Sequence, residues 1–360
     1  MKVLILFLLS LFHCAEKSTV YFTKTISPEK MVDIFKKLNV KLTGKVGLKV
    51  HSGEPGGLYF LKPEFLMNIY DYTNGTFLEC NTAYQSVRSD STTHLELLKE
   101  NGWFSDGRKI DLMDENPDED LEYEVPNHLM INTTYVGSHL KNYDSCVVLS
   151  HFKGHQMGGY GGALKQLSIG FASQKGKMWI HSAGRETDWT KGIGGKATQE
   201  EFTNAMGDAA SVIVNYFKEK GQIVYINVLA NISTSCDCAG RSAPAPKIKD
   251  IGIMASTDPV AIDKASLDLI KQTNEEGTKA FLDQVGNLLG ENTIFAAEKL
   301  GIGTTQYNLI NIDNDTYNDT SNDTSNDTDI ENFNPNGQNG DSIISYSLKL
   351  VILLFILFCN

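Results

Sequence analysis

The chain has 360 residues, with 32 Lys and Arg against 44 Asp and Glu, a net charge of −12 and a pI near 5.2. That acidic balance argues against nucleic acid as a partner, because affinity for a phosphate backbone is driven by Lys and Arg. With two biased ends set aside, the remaining length suits one large domain or two intimate ones.

Residues 1–15 join Lys2 to the apolar run VLILFLLSLF, which predicts a secretory signal peptide too short to span a bilayer. A single α/β domain is expected over residues 16–312. It opens with a strand and then a helix capped by Ser27, with Pro28 at its first position and Glu29 close behind. The strand VGLKVH (46–51) runs into SGEPGG with Glu54, and a helix comes next over 63–72. TFLEC (76–80) is a further strand, leaving through NTAYQSVRSD with Arg88 to a helix over 92–101 that carries His94. The acidic residues 105–128 read as a solvated surface hairpin or loop.

The stretch CVVLSHFKGHQMGGYGGALKQL (146–167) then gives a buried strand, a polar glycine-rich turn and the start of a helix. KMWIHS is expected as a strand ending at His181, and residues 198–220 as an amphipathic helix. The long strand IVYINVLANI exits into STSCDCAGRSAPAP. DIGIMAS exits into a helix capped by Asp258, with Pro259 at its first position and Asp263 and Asp268 further along. Helices over 277–289 and 293–300 and the strand YNLINI close the domain. Strands alternating with helices predict an α/β fold, a largely parallel or mixed sheet with helices on both faces.

Residues 313–340, which contain the run NDTYNDTSNDTSNDTD, are too polar to pack and read as a glycosylated stalk. Residues 341–360 end in LKLVILLFILFCN, a GPI-type signal or, alternatively, an ordinary C-terminal membrane anchor. An apolar run of about a dozen residues, against the ~20 a spanning helix needs, favours GPI. Sequons at Asn74, Asn132 and Asn231, and at Asn314, Asn318, Asn322 and Asn326 in the tail, fit the secretory route and the extracellular face of the plasma membrane.

Six cysteines are present, with Cys14 and Cys359 in the biased ends. In an oxidising compartment Cys80–Cys146 is the expected disulfide. Cys236 and Cys238, one residue apart, are expected to make a poor mutual pair, leaving free thiols, other disulfide partners or ligands.

Most polar clusters come just after a strand, so in a parallel sheet they share one edge and converge on one cleft. His151, His155, Cys236 and Cys238 make a soft-metal set suited to zinc or iron. The alternative is that the histidines bond the loop backbone and the cysteines form disulfides. Gly158, Gly159, Gly161 and Gly162, with Lys153 and Lys165, offer a cradle for a small anionic ligand. They match neither the dinucleotide nor the P-loop pattern, and a tight turn with close packing is the other reading. Lys165, Glu54 and Arg88 are the candidates for catalytic work around a substrate, against a default of exposed loop charges. His94 and His181 read as structural.

KVHSGEPG, CNTAYQSVRSDSTTHLELLKENGW, SHFKGHQMGGYGGALKQLSIGFASQKGK, CDCAG and DIGIMASTDPVAIDKASLDLI together resemble the family known as domain of unknown function 362, over roughly Val20 to Ile312. Some members carry a ferredoxin-type iron–sulfur segment, whose C-x-x-C-x-x-C run is absent here. The usual Lys-Asn after the glycine turn reads Lys165-Gln166 in this chain. The family has no settled activity, so the resemblance implies a fold and no reaction. Two functions are therefore expected in parallel, with a purely structural coat role, favoured only by the stalk and anchor, as a third. One is a metal-dependent enzyme or redox protein; the other is a non-catalytic cell-surface module that binds a small anion.

Overall fold

Long apolar strands alternating with amphipathic helices build an eight-stranded sheet covered on both faces. The computed structural model describes residues 17–313. The signal peptide, the glycosylated stalk and the C-terminal anchor expected above lie outside the described residues.

Strand β1 (Ser18–Thr23) leads into α1 (Pro28–Lys37), closed at its start by the Ser27 hydroxyl, which accepts from the Lys30 N–H at 3.2 Å. Next come β2 (Val46–Lys49), α2 (Met67–Thr73), β3 (Thr76–Glu79), α3 (Ser91–Glu100) and β4 (Ile110–Leu112). β5 (Leu121–Glu124) and β6 (Thr133–Val136) form a separate antiparallel pair. β7 (Ser145–His151) continues into the small hairpin β8 (Lys153–His155) and β9 (Gly159–Gly161), then one turn of helix, α4 (Ala163–Lys165). After α5 (Gln174–His181) come α6 (Gln199–Lys220), β10 (Ile223–Leu229), β11 (Gly252–Ser256), α7 (Pro259–Gln272), α8 (Thr278–Asn287), α9 (Gly290–Lys299) and β12 (Tyr307–Asn311).

The sheet order is β12-β1-β11-β10-β7-β2-β3-β4. Strand β11 pairs antiparallel with both neighbours and every other pairing is parallel, so this is an α/β fold with a mostly parallel sheet. Successive side chains of a strand point to opposite faces. Val147 and Leu149 of β7 therefore join Met31, Ile69 and Leu98 under α1, α2 and α3, while Val148 joins Ile213, Phe217 and Ala265 under α6 and α7. Every residue of β7 and β10 is buried, as a strand covered on both sides requires.

From β2 the chain steps to β3 and β4 in one direction, and β7 and β10 extend the sheet in the other. The order thus reverses at the β2–β7 boundary. In open α/β sheets ligands bind at such a point, beyond the carboxyl ends of the strands.

Three expectations are corrected. KMWIHS is not a strand but most of α5, whose start is closed by Ser173 accepting from the Gly176 N–H at 3.2 Å. The short Met-Trp-Ile run imitates strand alternation, and the cap lies outside it. The acidic stretch is not wholly solvated. Its Asp114 is buried and accepts from the Asn81 N–H at 2.8 Å and the Gln174 N–H at 3.2 Å, tying β3's exit to α5.

The third correction concerns the disulfide. Cys80 and Cys146 are free and buried, and Cys236 is bonded to Cys238. Register gives the reason. Cys146 lies level with Gly47 of β2, and Gly47 with Thr76 of β3. Cys146 and Cys80 are thus two strand spacings apart, about 10 Å, and offset along the strand by about 13 Å, far beyond disulfide reach. Cys236 and Cys238 flank one residue of a loop that turns tightly enough to bring their Cα atoms to 5.2 Å, inside the bridging range. Among the described residues no helix is long and apolar enough to cross a membrane.

Candidate functional site

The exits of β2, β3 and β7, the glycine hairpin, α5 and the Cys236–Cys238 loop enclose a cavity of about 310 Å³. That is the size range of small-molecule sites. Its walls carry several charged groups, and their pairing decides what a ligand would meet.

On one side Lys49, Glu54, Glu79 and Arg88 form a buried network. Glu79 meets Lys49 at 3.1 Å and the Arg88 guanidinium at 3.2 Å, and also accepts from the backbone N–H of Ser52 at 2.7 Å and Cys80 at 3.0 Å. Burial pushes the Glu79 carboxyl up, but Lys49 and Arg88 win and hold it well below the usual carboxylate range. Arg88 meets Glu54 at 2.8 Å, and Glu54 also accepts from the Tyr84 hydroxyl at 2.6 Å. Arg88 Nε donates to His94 Nε2 at 3.2 Å, and His94 Nδ1 lies 2.9 Å from the Asn81 side-chain oxygen. Burial, with the Arg88 charge next, lowers His94 to about 3. The network is internally satisfied. Glu54 and Arg88 therefore hold one another and the wall, rather than presenting free charge.

On the other side His151 lies with Nδ1 3.1 Å from both Asp237 carboxylate oxygens and Nε2 2.7 Å from the Ala230 carbonyl. Lys153 also pairs with Asp237. Burial raises the Asp237 carboxyl, yet His151 and Lys153 hold it well below the ordinary value. Both His151 ring nitrogens are engaged by protein groups, Nδ1 by Asp237 and, at 3.3 Å, by the Lys153 amine, and Nε2 by the Ala230 carbonyl. The structure instead groups His155, Cys236 and Cys238, with ligand atoms within 4.8 Å of one another. Three of the four expected soft ligands thus meet, and His151 does not join them.

His155, Cys236 and Cys238 do not fit a metal in this state. The metal ligand is the thiolate, and both sulfurs are tied up in the disulfide. A metal-bound imidazole usually donates its other N–H, whereas His155 Nδ1 accepts from Gly158 N–H at 2.9 Å and Met157 N–H at 3.3 Å.

These partners fix three tautomers. His155 accepts at Nδ1, so its Nε2 carries the proton; His51, accepting from the Gly53 N–H at 3.1 Å, has the same form. His181 donates from Nδ1 to the Lys177 carbonyl at 2.7 Å, leaving Nε2 as an acceptor. Burial lowers all three rings, His181 to about 4, with Arg88 next for His51 and Lys165 next for His155. All line the cavity as neutral imidazoles.

Gly161 and Gly162 line the cavity, whereas Gly158 and Gly159 pack away from it. Gly159 has φ +77° with the Gly290 Cα 3.0 Å from where a Cβ would stand, so close packing is its role. A Cβ on Gly162 would lie 2.5 Å from Asp263 Oδ1. Asp263 itself overturns the expected anion cradle. Its carboxylate accepts from the N–H groups of Ala163 at 2.8 Å and Leu164 at 2.9 Å, so the start of α4 already holds an anion from α7. Burial pushes Asp263 up to about 6 against the hydrogen bonds from Asn227 and the backbone.

Lys165 remains. It lines the cavity beyond Gly161, whose missing side chain leaves the Lys165 Cδ 3.6 Å from the would-be Cβ. Lys153 is paired with Asp237, Arg88 with Glu54 and Glu79, and Lys177 with the Ala172 carbonyl. Among the described residues, Lys165 is the cavity-lining cation whose ammonium has no hydrogen-bond or ion-pair partner. Desolvation, and then the Lys153 charge, bring it down to about 7 although Asp237 opposes them. Sequence reasoning singled out Lys165, placed His51 in a polar cluster just past a strand and left Asp237 as either an acceptor behind the cysteines or an exposed residue, but it did not point to Glu79 or Lys177. Their common signal was position at the exits of β2, β3 and β10 or within α5.

Fold and cavity together define a mostly parallel α/β protein with a cavity of small-molecule size at the carboxyl edge of its sheet. The chain belongs to the family described as "Domain of unknown function (DUF362)", whose model matches residues 46–268. No curated protein matches it. Two solved structures are distantly similar. One is a protein from Thermotoga maritima, 14% identical with a TM-score of 0.39, covering 77% of this chain and 60% of that one. The other is the lactate racemase apoprotein from Thermoanaerobacterium thermosaccharolyticum, 14% identical with a TM-score of 0.40, covering 71% of this chain and 57% of that one. The chain thus spans less than two thirds of the length of either structure.

Proposed function

We propose that the cavity binds a small anionic molecule and that Lys165 is the cation that receives it. The observation that carries this reading is the unpartnered Lys165 amine in a cavity whose other cations are already paired. A ligand anion would complete it and would accept from the Nε2–H groups of His51 and His155. Such charge-assisted hydrogen bonds are the strong ones. Glycolate or inorganic phosphate at low ionic strength should raise the melting temperature, by an increment that grows with the logarithm of ligand concentration. No shift for either anion up to tens of millimolar would remove this reading.

A second reading is favoured by the closeness of His155, Cys236 and Cys238. With the disulfide reduced, two thiolates and one imidazole would suit zinc or iron, and the chain would be a metal-dependent or redox protein. Elemental analysis separates the cases: about one equivalent of zinc retained after reduction and none in the oxidised protein supports it. Equal and negligible zinc in both rejects it.

We further propose the secretory route and a GPI-anchored extracellular position. The apolar ends of the sequence support this, as does the exposure of Asn74, Asn132 and Asn231. Release from intact cells by a phosphatidylinositol-specific phospholipase is expected; retention after treatment contradicts the anchor.

A further inference from the structure

We propose that Lys165 is a nucleophile that forms an imine with a small carbonyl compound bearing a carboxylate or phosphate. This rests on the anion-binding reading and extends it from binding to covalent chemistry.

Three features of the cavity carry the step. The first is the Lys165 nitrogen, which lines the cavity and which no acceptor among the described residues holds. An amine locked in an ion pair, as Lys153 is by Asp237, would have to break that pair before attacking. The second is a pair of neutral donors. His51 and His155 each use Nδ1 as an acceptor and so carry Nε2–H, the group needed to polarise a carbonyl oxygen. The third is an acceptor, His181 Nε2, left free by the bond from its Nδ1 to the Lys177 carbonyl. All four side chains line one cavity.

The step balances without a further reagent. The amine lone pair attacks the carbonyl carbon, a C–N bond forms, and the oxygen becomes the hydroxyl of a carbinolamine. That oxygen then leaves as water with the two hydrogens the amine brought, and the C=N bond closes. Nothing is oxidised or reduced.

The substrate class follows from the anion-binding reading: the neighbouring cations Lys153, Arg88 and Lys49 are paired with Asp237, Glu54 and Glu79, which leaves Lys165 as the amine beside which a substrate carboxylate or phosphate would sit. At pH 7.5 an amine that titrates near 7 holds a roughly several-hundred-fold larger neutral share than one at 10.5.

Borohydride trapping on the unmutated protein tests the inference, so the outcome does not depend on a variant folding. The protein is incubated with glyoxylate, with glycolaldehyde phosphate, or with neutral propionaldehyde, then reduced and mapped by peptide mass spectrometry. The expected result is modification of Lys165 at least about tenfold above any exposed lysine, by one or both anionic aldehydes, suppressed by excess glycolate. Which aldehyde labels identifies the anion as carboxylate or phosphate. Label scattered over surface lysines with Lys165 unmodified overturns the inference, as does labelling by propionaldehyde as strong as by both anions. If glycolate still stabilises the protein while Lys165 stays unlabelled, the imine fails and anion binding stands. If neither occurs, both fail.

Discussion

Lys165 is held as an amine that the fold disfavours charging, and this has a thermodynamic signature. Its native value is about 7 against an ordinary 10.5. Below about pH 7 both the folded and unfolded states carry the proton, and the folded state bears the full cost of the charge. Between pH 7 and 10.5 the unfolded chain binds more protons than the folded one, so the cost is relieved as pH rises. Lys165→Met should therefore melt higher than the wild type, most clearly at pH 7 and below, with the gap closing toward pH 10.5. A variant that melts lower than the wild type, or a gap independent of pH, contradicts this. Stability given up at one position is a common property of working sites. At this scale the sequence pointed to Lys165 and to the Cys236–Cys238 loop. It did not show that His151 turns to Asp237, because that pairing joins residues 86 positions apart.

The local unit built on the glycine hairpin owes its shape to one carboxylate from a distant helix. Asp263 of α7 accepts from two backbone N–H groups at the start of α4, from Asn227 at 2.8 Å and from Tyr160 at 3.2 Å. Asp263→Ala leaves buried donors without acceptors and should destabilise the domain by about 3 kcal/mol, a fall in melting temperature of roughly 5 °C for a domain of this size. Asp263→Asn keeps one acceptor and should lose less. Scanning calorimetry of both variants checks the ranking; an alanine variant within a degree or two of wild type would mean that water replaces the carboxylate. Elements with a clear cap were legible, as with Ser27 before α1 and Asp258 before α7, where Asp258 accepts from Val260 and Ala261. α5 was not, because its eight residues make only about two turns and the Met-Trp-Ile run within them reads as a strand. The start of α4 looked like an open anion site because nothing in GGYGGALK reveals that Asp263 fills it.

Across the whole molecule the alternation of strands and helices announced the parallel sheet, and with it the convergence of strand exits on one edge. Topology then does what spacing could not. The reversal of strand order between β2 and β7 opens a crevice, and the loops after β2, β3 and β7 wall it. The expected disulfide failed at this scale too, since the offset between Cys80 and Cys146 depends on which strands lie between them. Within that crevice Lys165 is the cation that has no partner among the described residues. Isothermal calorimetry of glycolate into wild-type protein and Lys165→Met, at low salt and at pH 6 and pH 8, tests its role most directly. The wild type should bind more tightly at pH 6, where Lys165 is charged, than at pH 8. The variant should lose roughly 10- to 100-fold in affinity at pH 6, the worth of one charge-assisted hydrogen bond. Equal affinity in the two proteins, with no dependence on pH, would show that Lys165 does not receive the anion.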